Sequence, residues 1–243
     1  MRFSNFIFVL LSVCSLSGAT RLYLPSTGVC VVDPPENLGT GTWNEVDNVN
    51  CRPADTTKLS SAMTNKVEGK ATTANVRQLM RQYVSKRLNG AQTVSGTVKG
   101  TIRVLESAAN DNIDKVSLKL VCIDEFGTTA TGTMLAVGDY GPTNEWATSL
   151  TNRRIADGDT MTTVNCNDKD RILVEIGYNN TTTGTSITGT MNFGDDSVTD
   201  LADDEAGTAA NNPFVELINV TLSFLAEPQG PPVGTLATLG AGR

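Results

Sequence analysis

The feature that most constrains the fold of this sequence is an alternation of apolar and polar residues. In residues 94–104 the apolar residues Val94, Val98, Ile102 and Val104 occupy even positions, and the odd positions are mostly Ser, Thr, Lys or Arg. Successive side chains of a β-strand point to opposite faces, so this pattern predicts a strand with one buried and one wet face.

Other segments repeat this alternation. The clear repeats are residues 115–122, 172–178 and 218–224, and the weaker ones are residues 58–64, 77–84, 132–137, 147–152 and 187–193. Turn-forming stretches rich in Gly, Asn and Asp lie between them, among them residues 110–112, 125–127, 157–159, 167–170 and 194–196. Strands spaced by such turns, without a long amphipathic helix, predict an all-β fold, namely a single antiparallel β-sandwich of jelly-roll type.

The two ends of the chain differ in composition from this body. In residues 1–19, Arg2 provides a positive charge near the start, an apolar stretch follows, and small residues come last. That order is typical of a cleaved secretory signal peptide, and the apolar stretch is too short for a stable membrane span. Residues 226–243 are rich in Gly and Pro and predict a flexible tail. We therefore expect a secreted protein, extracellular or on the cell surface, with its sandwich domain in residues 20–225.

Four cysteines follow the predicted leader. In an oxidising compartment an even number indicates disulfides, and four cysteines permit three pairings. We predict Cys30–Cys51, which closes a Pro- and Gly-rich loop over residues 30–51, together with Cys122–Cys166. Neither histidine nor C-x-x-C spacing accompanies these thiols, so a zinc site is not expected.

Composition argues against several classes of function. The net charge is −7 and the cations do not cluster, whereas nucleic-acid binding needs clustered Lys and Arg.

Histidine is absent, which removes the Ser-His-Asp and Cys-His nucleophilic systems. Catalysis would have to rest on two carboxylates across a cleft. The candidates are Glu106, Asp124, Glu125, Asp195 and Asp196. Because each lies beside a predicted turn or strand end, where solvated acids are ordinary, we predict that the protein is not an enzyme and requires no cofactor.

An acidic stretch is the main candidate metal site. Asp195, Asp196, Asp203 and Asp204 supply enough carboxylate oxygens for Ca²⁺, which takes six to eight oxygen ligands. The stretch lacks the EF-hand spacing, so a hydrated acidic loop is the competing interpretation.

Three sequons and two aromatic residues are candidate sites of carbohydrate chemistry. Asn179, Asn180 and Asn219 each begin the Asn-x-Thr pattern of N-glycosylation. Tyr140 and Trp146 form a candidate platform for a polysaccharide, because sugar-binding surfaces use exposed aromatic rings.

Several blocks of the sequence resemble a set of uncharacterised jelly-roll proteins. The blocks are residues 19–28 (ATRLYLPSTG), 81–85 (RQYVS), 91–100 (AQTVSGTVKG), 105–107 (LES) and 170–177 (DRILVEIG). Members of this set occur in phage structural gene clusters and in environmental sequence, and related jelly-roll subunits build extracellular fibrils. The resemblance implies a structural role and brings no catalytic residues with it.

The predicted function is therefore that of a non-enzymatic structural subunit that self-assembles into an extracellular fibre or surface layer. Its main partner would be a second copy of itself. Strand exchange would join the copies, since a free sheet edge accepts a strand, and the strand would come from residues 20–24 or from residues 233–239. The alternatives are a carbohydrate-binding surface module and a phage virion or tail-associated protein.

Overall fold

The computed structural model describes residues 18–46, 51–58, 66–72, 76–109, 111–180, 187–194 and 199–227, with only the backbone of residues 66–72. These ranges form fourteen strands and no helix, and hence no helix that would cross a bilayer. Sheet I contains β1 (Ala19–Tyr23), β4 (Lys66–Thr72), β7 (Thr97–Glu106), β10 (Thr151–Thr160), β13 (Ile187–Phe193) and β14 (Phe214–Ile218). Sheet II contains β2 (Glu45–Val46), β3 (Cys51–Pro53), β5 (Arg77–Val84), β8 (Ile113–Ile123), β9 (Ala130–Tyr140) and β12 (Arg171–Asn180). A two-stranded ribbon pairs β6 (Gln92–Val94) with β11 (Val164–Cys166).

Strand pairing confirms the predicted all-β antiparallel sandwich. Sheet I has the order β1-β14-β7-β13-β4, with β10 on β7, and sheet II has the order β2-β5-β12-β8-β9, with β3 on β5. The named strands pair antiparallel except for the short β2 and β3, which run parallel to β5. The jelly-roll topology and the single domain over residues 20–225 remain predictions.

The alternation in the sequence locates the core between the two sheets. Ile102 and Val104 of β7 are fully buried, as are Leu118 and Leu120 of β8, and all four belong to one apolar cluster. The polar residues between them on β7 lie on the opposite face of sheet I. Burial of each such side chain contributes roughly 1.5–3 kcal/mol, so these paired faces account for much of the fold's stability.

The prediction of a strand over residues 218–224 was wrong, although Val220 and Leu222 are buried as the pattern predicted. β14 ends at Ile218, and Asn219 takes a left-handed conformation with φ 66° that interrupts the ladder. Beyond this turn Val220 and Leu222 are still buried. The Thr20 hydroxyl replaces a strand partner, since it donates to the Val220 carbonyl at 2.9 Å and accepts the Leu222 N–H at 2.8 Å.

Two further predictions about the strands need correction. The predicted strand at residues 147–152 begins later, as β10 at Thr151, and the predicted turn at residues 157–159 lies inside β10. The register of β10 against β7 shifts twice in this region, so the Gly and Asp residues mark bulges rather than a reversal. The predicted strand at residues 58–64 lies largely outside the described residues.

The loop closed by the first disulfide forms a third layer on sheet II. Val32 and Leu38 of the loop pack against Val121 and Leu173 on the outer face of the sheet. The Thr40 N–H donates to the Thr133 hydroxyl at 2.9 Å. Sheet II is therefore covered on both faces, which explains why nearly every residue of β12 is buried.

A fully buried ion pair lies beneath this third layer. Lys119 Nζ is 3.4 Å from Glu175 Oε2, and both side chains are 0% exposed. The Trp43 indole N–H and the Gln82 side-chain N–H donate to the same carboxylate at 2.7 and 2.9 Å, and Lys119 donates to the Gly41 carbonyl at 3.0 Å. Each charge thus has polar partners besides its counterion, which reduces the penalty of burying it.

One of the two segments proposed for strand exchange lies in the described part of the chain. Residues 19–23 are β1, which pairs antiparallel with β14 of its own sheet, so the N-terminal candidate is a built-in strand of the sandwich. Residues 233–239 lie outside the described residues. The described chain ends at Glu227, whose carboxylate accepts hydrogen bonds from Arg87 and Arg171 at 2.8 and 2.9 Å.

Candidate functional site

Of the carboxylates nominated for catalysis, Glu106 lies far from the other two that the structure describes, Asp124 and Glu125. Glu106 Oε2 accepts the N–H of Ile113, the first residue of β8, at 3.2 Å, whereas Asp124 directly follows the last residue of that strand. A strand of eleven residues spans roughly 35 Å. Glycosidase carboxyls lie about 5–10 Å apart, so Glu106 cannot act with Asp124 or Glu125 on one bond. Asp195 and Asp196 are outside the described residues.

Glu106 is nevertheless an unusual acid. Its side chain is buried, and its Oε1 has no hydrogen-bond partner in the part of the chain that the structure describes. Burial raises the pKa of Glu106 from its ordinary 4.5 to about 7, against the lowering effect of the Ile113 N–H, and the neighbouring Glu145 and Asp111 raise it further. With 1% exposure the carboxyl is closed to a substrate, so it is a proton-binding group rather than an accessible catalyst.

Two of the four acidic residues proposed as calcium ligands already contact other groups of the protein. Asp203 lies 3.0 Å from Arg154 Nε, and Asp204 accepts the N–H of Gly207 at 2.6 Å. The described ranges contain no group of three or more His, Cys, Asp or Glu side chains that would hold a metal ion. The other two candidate ligands, Asp195 and Asp196, are outside those ranges, so calcium binding remains a prediction.

The aromatic pair does not form an exposed platform, which corrects that expectation. Trp146 is 3% exposed, and its ring packs edge-on against Tyr178 with 5.8 Å between ring centroids. The backbone N–H of Trp146 donates to the Ile113 carbonyl at 2.8 Å, which holds this segment beside the first residue of β8. Tyr140 is half-buried and donates its hydroxyl hydrogen to the Ala136 carbonyl.

Both predicted disulfides are present. Cys30 and Cys51 are bonded with 5.6 Å between their Cα atoms, and Cys122 and Cys166 with 6.0 Å. Disulfides persist in oxidising compartments, so the pairing agrees with an extracytosolic location. Residues 1–17 of the predicted leader lie outside the described residues.

The most exposed large apolar side chains are clustered near the first disulfide. Among the described residues, Val29, Val31 and Phe126 are 71%, 61% and 69% exposed. A Cβ built on Gly127 would lie 2.9 Å from Val32 Cγ2, so the turn that carries Phe126 contacts the loop that carries the two valines. We call these three residues the apolar tip.

Sequence reasoning missed the apolar tip because it treated both segments as ordinary surface turns. One feature of the sequence could have indicated an exposed apolar surface here. Phe126 is a large aromatic residue at the centre of a short Glu-Phe-Gly turn, where a polar residue is usual. Val29 and Val31 flank a cysteine, so the disulfide fixes their backbone whether or not their side chains are buried.

Both segments of the apolar tip are held rigidly. The Asp124 carboxylate accepts hydrogen bonds from the Thr128 and Thr129 N–H groups and from the Thr128 hydroxyl. Although partial burial opposes it, these hydrogen bonds hold the pKa of Asp124 below its ordinary value, so the turn is fixed by a carboxylate at neutral pH. The Cys30–Cys51 disulfide fixes the other segment.

The charged residues around the apolar tip are mostly acidic. Asp33 and Glu36 are exposed on the same loop as Val31. Arg87 is paired with Glu125 and Glu227, and Arg171 with Glu227, whereas Arg52, next to Cys51, donates to the Ser26 and Cys51 carbonyls. The tip is therefore an apolar surface with exposed acidic residues on the same loop.

Comparison with known proteins finds similarity among solved structures alone, since no protein-family model and no curated protein sequence matches the chain. It resembles an alpha-amino acid ester hydrolase, at 9% identity and a TM-score of 0.44, over 84% of this chain and 36% of that one. It also resembles a CocE/NonD family hydrolase from Staphylococcus aureus, at 10% identity and a TM-score of 0.45, over 84% of this chain and 37% of that one. A structure of infectious bursal disease virus matches at 10% identity and a TM-score of 0.25, over 87% and 58%.

These comparisons contradict the predicted function. The two solved structures with TM-scores of 0.44 and 0.45 are hydrolases, not fibre subunits, and we do not retain the self-assembling fibre or its alternatives. The chain spans about a third of the length of those hydrolases. At these identities and TM-scores no activity is transferred to this chain, and the expectation that it is not an enzyme stays a prediction.

Proposed function

We propose that this protein is a binding domain that docks a basic protein surface carrying apolar side chains onto the apolar tip. The observation that carries the proposal is the exposure of Val29, Val31 and Phe126 in two segments that contact each other. Exposed apolar clusters in a stable domain are characteristic of interaction sites, and aromatic residues are enriched at the centres of such interfaces.

The rigidity of the tip favours a binding role. Binding costs free energy when loops and side chains must become ordered, and a preorganised surface avoids part of that cost. The Cys30–Cys51 disulfide and the Asp124 turn have already ordered the backbone that presents the three side chains.

The charge around the tip supports a basic partner. Asp33 and Glu36 would attract Lys and Arg, and the net charge of −7 adds a long-range attraction for cationic partners. The same charges repel a second copy of the chain and an anionic membrane, so a basic protein segment is the occupant that the electrostatics favour.

Nuclear magnetic resonance titration with short synthetic peptides tests the proposal. An alternating lysine–leucine heptapeptide should shift the amide resonances of residues 29–33 and 124–128. A lysine–serine peptide, which lacks the apolar groups, and a glutamate–leucine peptide, which lacks the positive charge, should each bind more weakly. Burying a phenylalanine contributes roughly 1.5–3 kcal/mol, so Phe126→Ser should weaken binding by about 10- to 100-fold.

Matched controls separate the tip from the remaining surface. Thr143→Ala changes an exposed loop away from the tip and should leave binding unchanged, whereas Val31→Ser should weaken it. Shifts that spread evenly over the domain would overturn the proposal. Preferential binding to neutral lipid vesicles would also overturn it, as would Phe126-dependent dimerisation seen by sedimentation.

A further inference from the structure

The geometry points to Asn219 as the N-glycosylation site of this chain, and to Asn179 and Asn180 as sequons that the folded protein leaves unmodified. The donor would be an oligosaccharide linked to a polyisoprenyl diphosphate. Asn219 Nδ2 would form a bond to C1 of the first sugar while the C1–O bond to the diphosphate breaks. The amide then loses one proton and the lipid diphosphate leaves, so no oxidant or reductant is needed.

Asn180 is placed where a glycan would prevent folding. It is the last residue of β12 and is 0% exposed. A sugar on its side-chain nitrogen would have to occupy space that the fold has already filled. Because protein interiors are close-packed, a chain modified at this position would not reach the native structure.

Asn179 is held in a polar cluster. Its Nδ2 donates to Asp139 Oδ2 at 2.9 Å. The same carboxylate accepts two hydrogen bonds from Arg77 and one from Ser117, and the Asp139 side chain is 9% exposed. A sugar at this nitrogen would replace one of its two N–H groups and add a bulky group beside a cluster that contains a bidentate ion pair.

Asn219 meets the requirements that the other two sequons fail. It is exposed, and it lies in the turn after β14 with φ 66°, a conformation that asparagine adopts more readily than most residues. Thr221, the third residue of its sequon, is exposed as well. No hydrogen bond within the described ranges engages the Asn219 side chain. The two disulfides agree with passage through an oxidising compartment, where this modification occurs.

Expression of the full chain in cultured insect or mammalian cells, followed by mass spectrometry with and without peptide-N-glycosidase, tests the assignment. The secreted wild type should lose the mass of one glycan on enzyme treatment, and Asn219 should be converted to Asp. Asn219→Gln and Thr221→Ala should each abolish the loss. The double variant Asn179→Gln, Asn180→Gln should retain it.

Every outcome is decisive, because the folded state is checked separately. Secreted protein with both disulfides intact counts as folded, and a glycan on Asn179 or Asn180 in that fraction would overturn the assignment. An unmodified secreted wild type would overturn it too. Modification that persists in Asn219→Gln would show that another residue is the acceptor.

Discussion

Glu106 should make the stability of this protein fall as the pH rises. A pKa of about 7 in the folded chain, against the ordinary 4.5, means that the folded state holds its proton more tightly than the unfolded state. The resulting stability is fully present below pH 4.5 and is lost as the pH rises through 7. A difference of that size corresponds to about 3 kcal/mol.

Replacing the acid by its neutral isostere isolates this effect. Glu106→Gln removes the titrating group and keeps an oxygen that accepts the Ile113 N–H. The stability of the variant relative to wild type should therefore be about 3 kcal/mol greater at pH 8.5 than at pH 4.5. Urea denaturation followed by tryptophan fluorescence measures both proteins at both pH values.

Two controls identify the cause. Glu145→Gln removes one of the charges that raise the pKa of Glu106, so it should reduce the loss of stability at high pH without abolishing it. Glu36→Gln changes an exposed acid and should not alter the pH dependence. If the difference between wild type and Glu106→Gln were the same at pH 4.5 and 8.5, the pKa of the carboxyl would be the same in the folded and unfolded states and the reasoning would fail.

Two further predictions concern the ion pair and a turn. Lys119→Met leaves the Glu175 carboxylate buried without its cation and should lower the free energy of unfolding by about 3–5 kcal/mol in chemical denaturation. Lys86→Met breaks a half-exposed ion pair and should lower it by at most about 1 kcal/mol. Equal losses of stability in the two variants would contradict a special role for the buried pair. Gly96→Ala places a methyl group 2.3 Å from a backbone carbonyl oxygen at φ 99° and should lower stability more than Gly90→Ala, which has a similar φ and open space. Thermal melts compare the two, and equal losses would mean that the dihedral alone matters.

The sequence predicted those parts of the fold that depend on local pattern. Alternation in β7 and β8 identified Ile102 and Leu118 as core residues, because a half-buried strand has a period of two. The same pattern placed Cys122 on the buried face of β8, where it is bonded to Cys166. These signals depend on a few neighbouring residues and need no knowledge of distant contacts.

The parts that sequence reasoning missed depend on contacts between distant segments. Trp146 was expected on the surface, yet its backbone N–H bonds to Ile113, some thirty positions earlier in the chain, and its buried ring packs against Tyr178. Residues 157–159 have turn composition, but pairing with β7 keeps them in a strand. The pKa of Glu106 likewise depends on burial, Glu145 and Asp111, which no local motif combines.

The third layer over sheet II has a consequence for how this protein tolerates sequence change. On sheet I, alternate residues of β7 such as Lys99 and Arg103 are partly solvated and should accept many substitutions. On β12, neither Val174 nor its neighbour Glu175 contacts water, although they point in opposite directions. In a deep mutational scan, tolerance to substitution should therefore alternate with a period of two residues along β7 and be low at almost every position of β12. Fitness data alone would then distinguish a sheet covered on one face from a sheet covered on both.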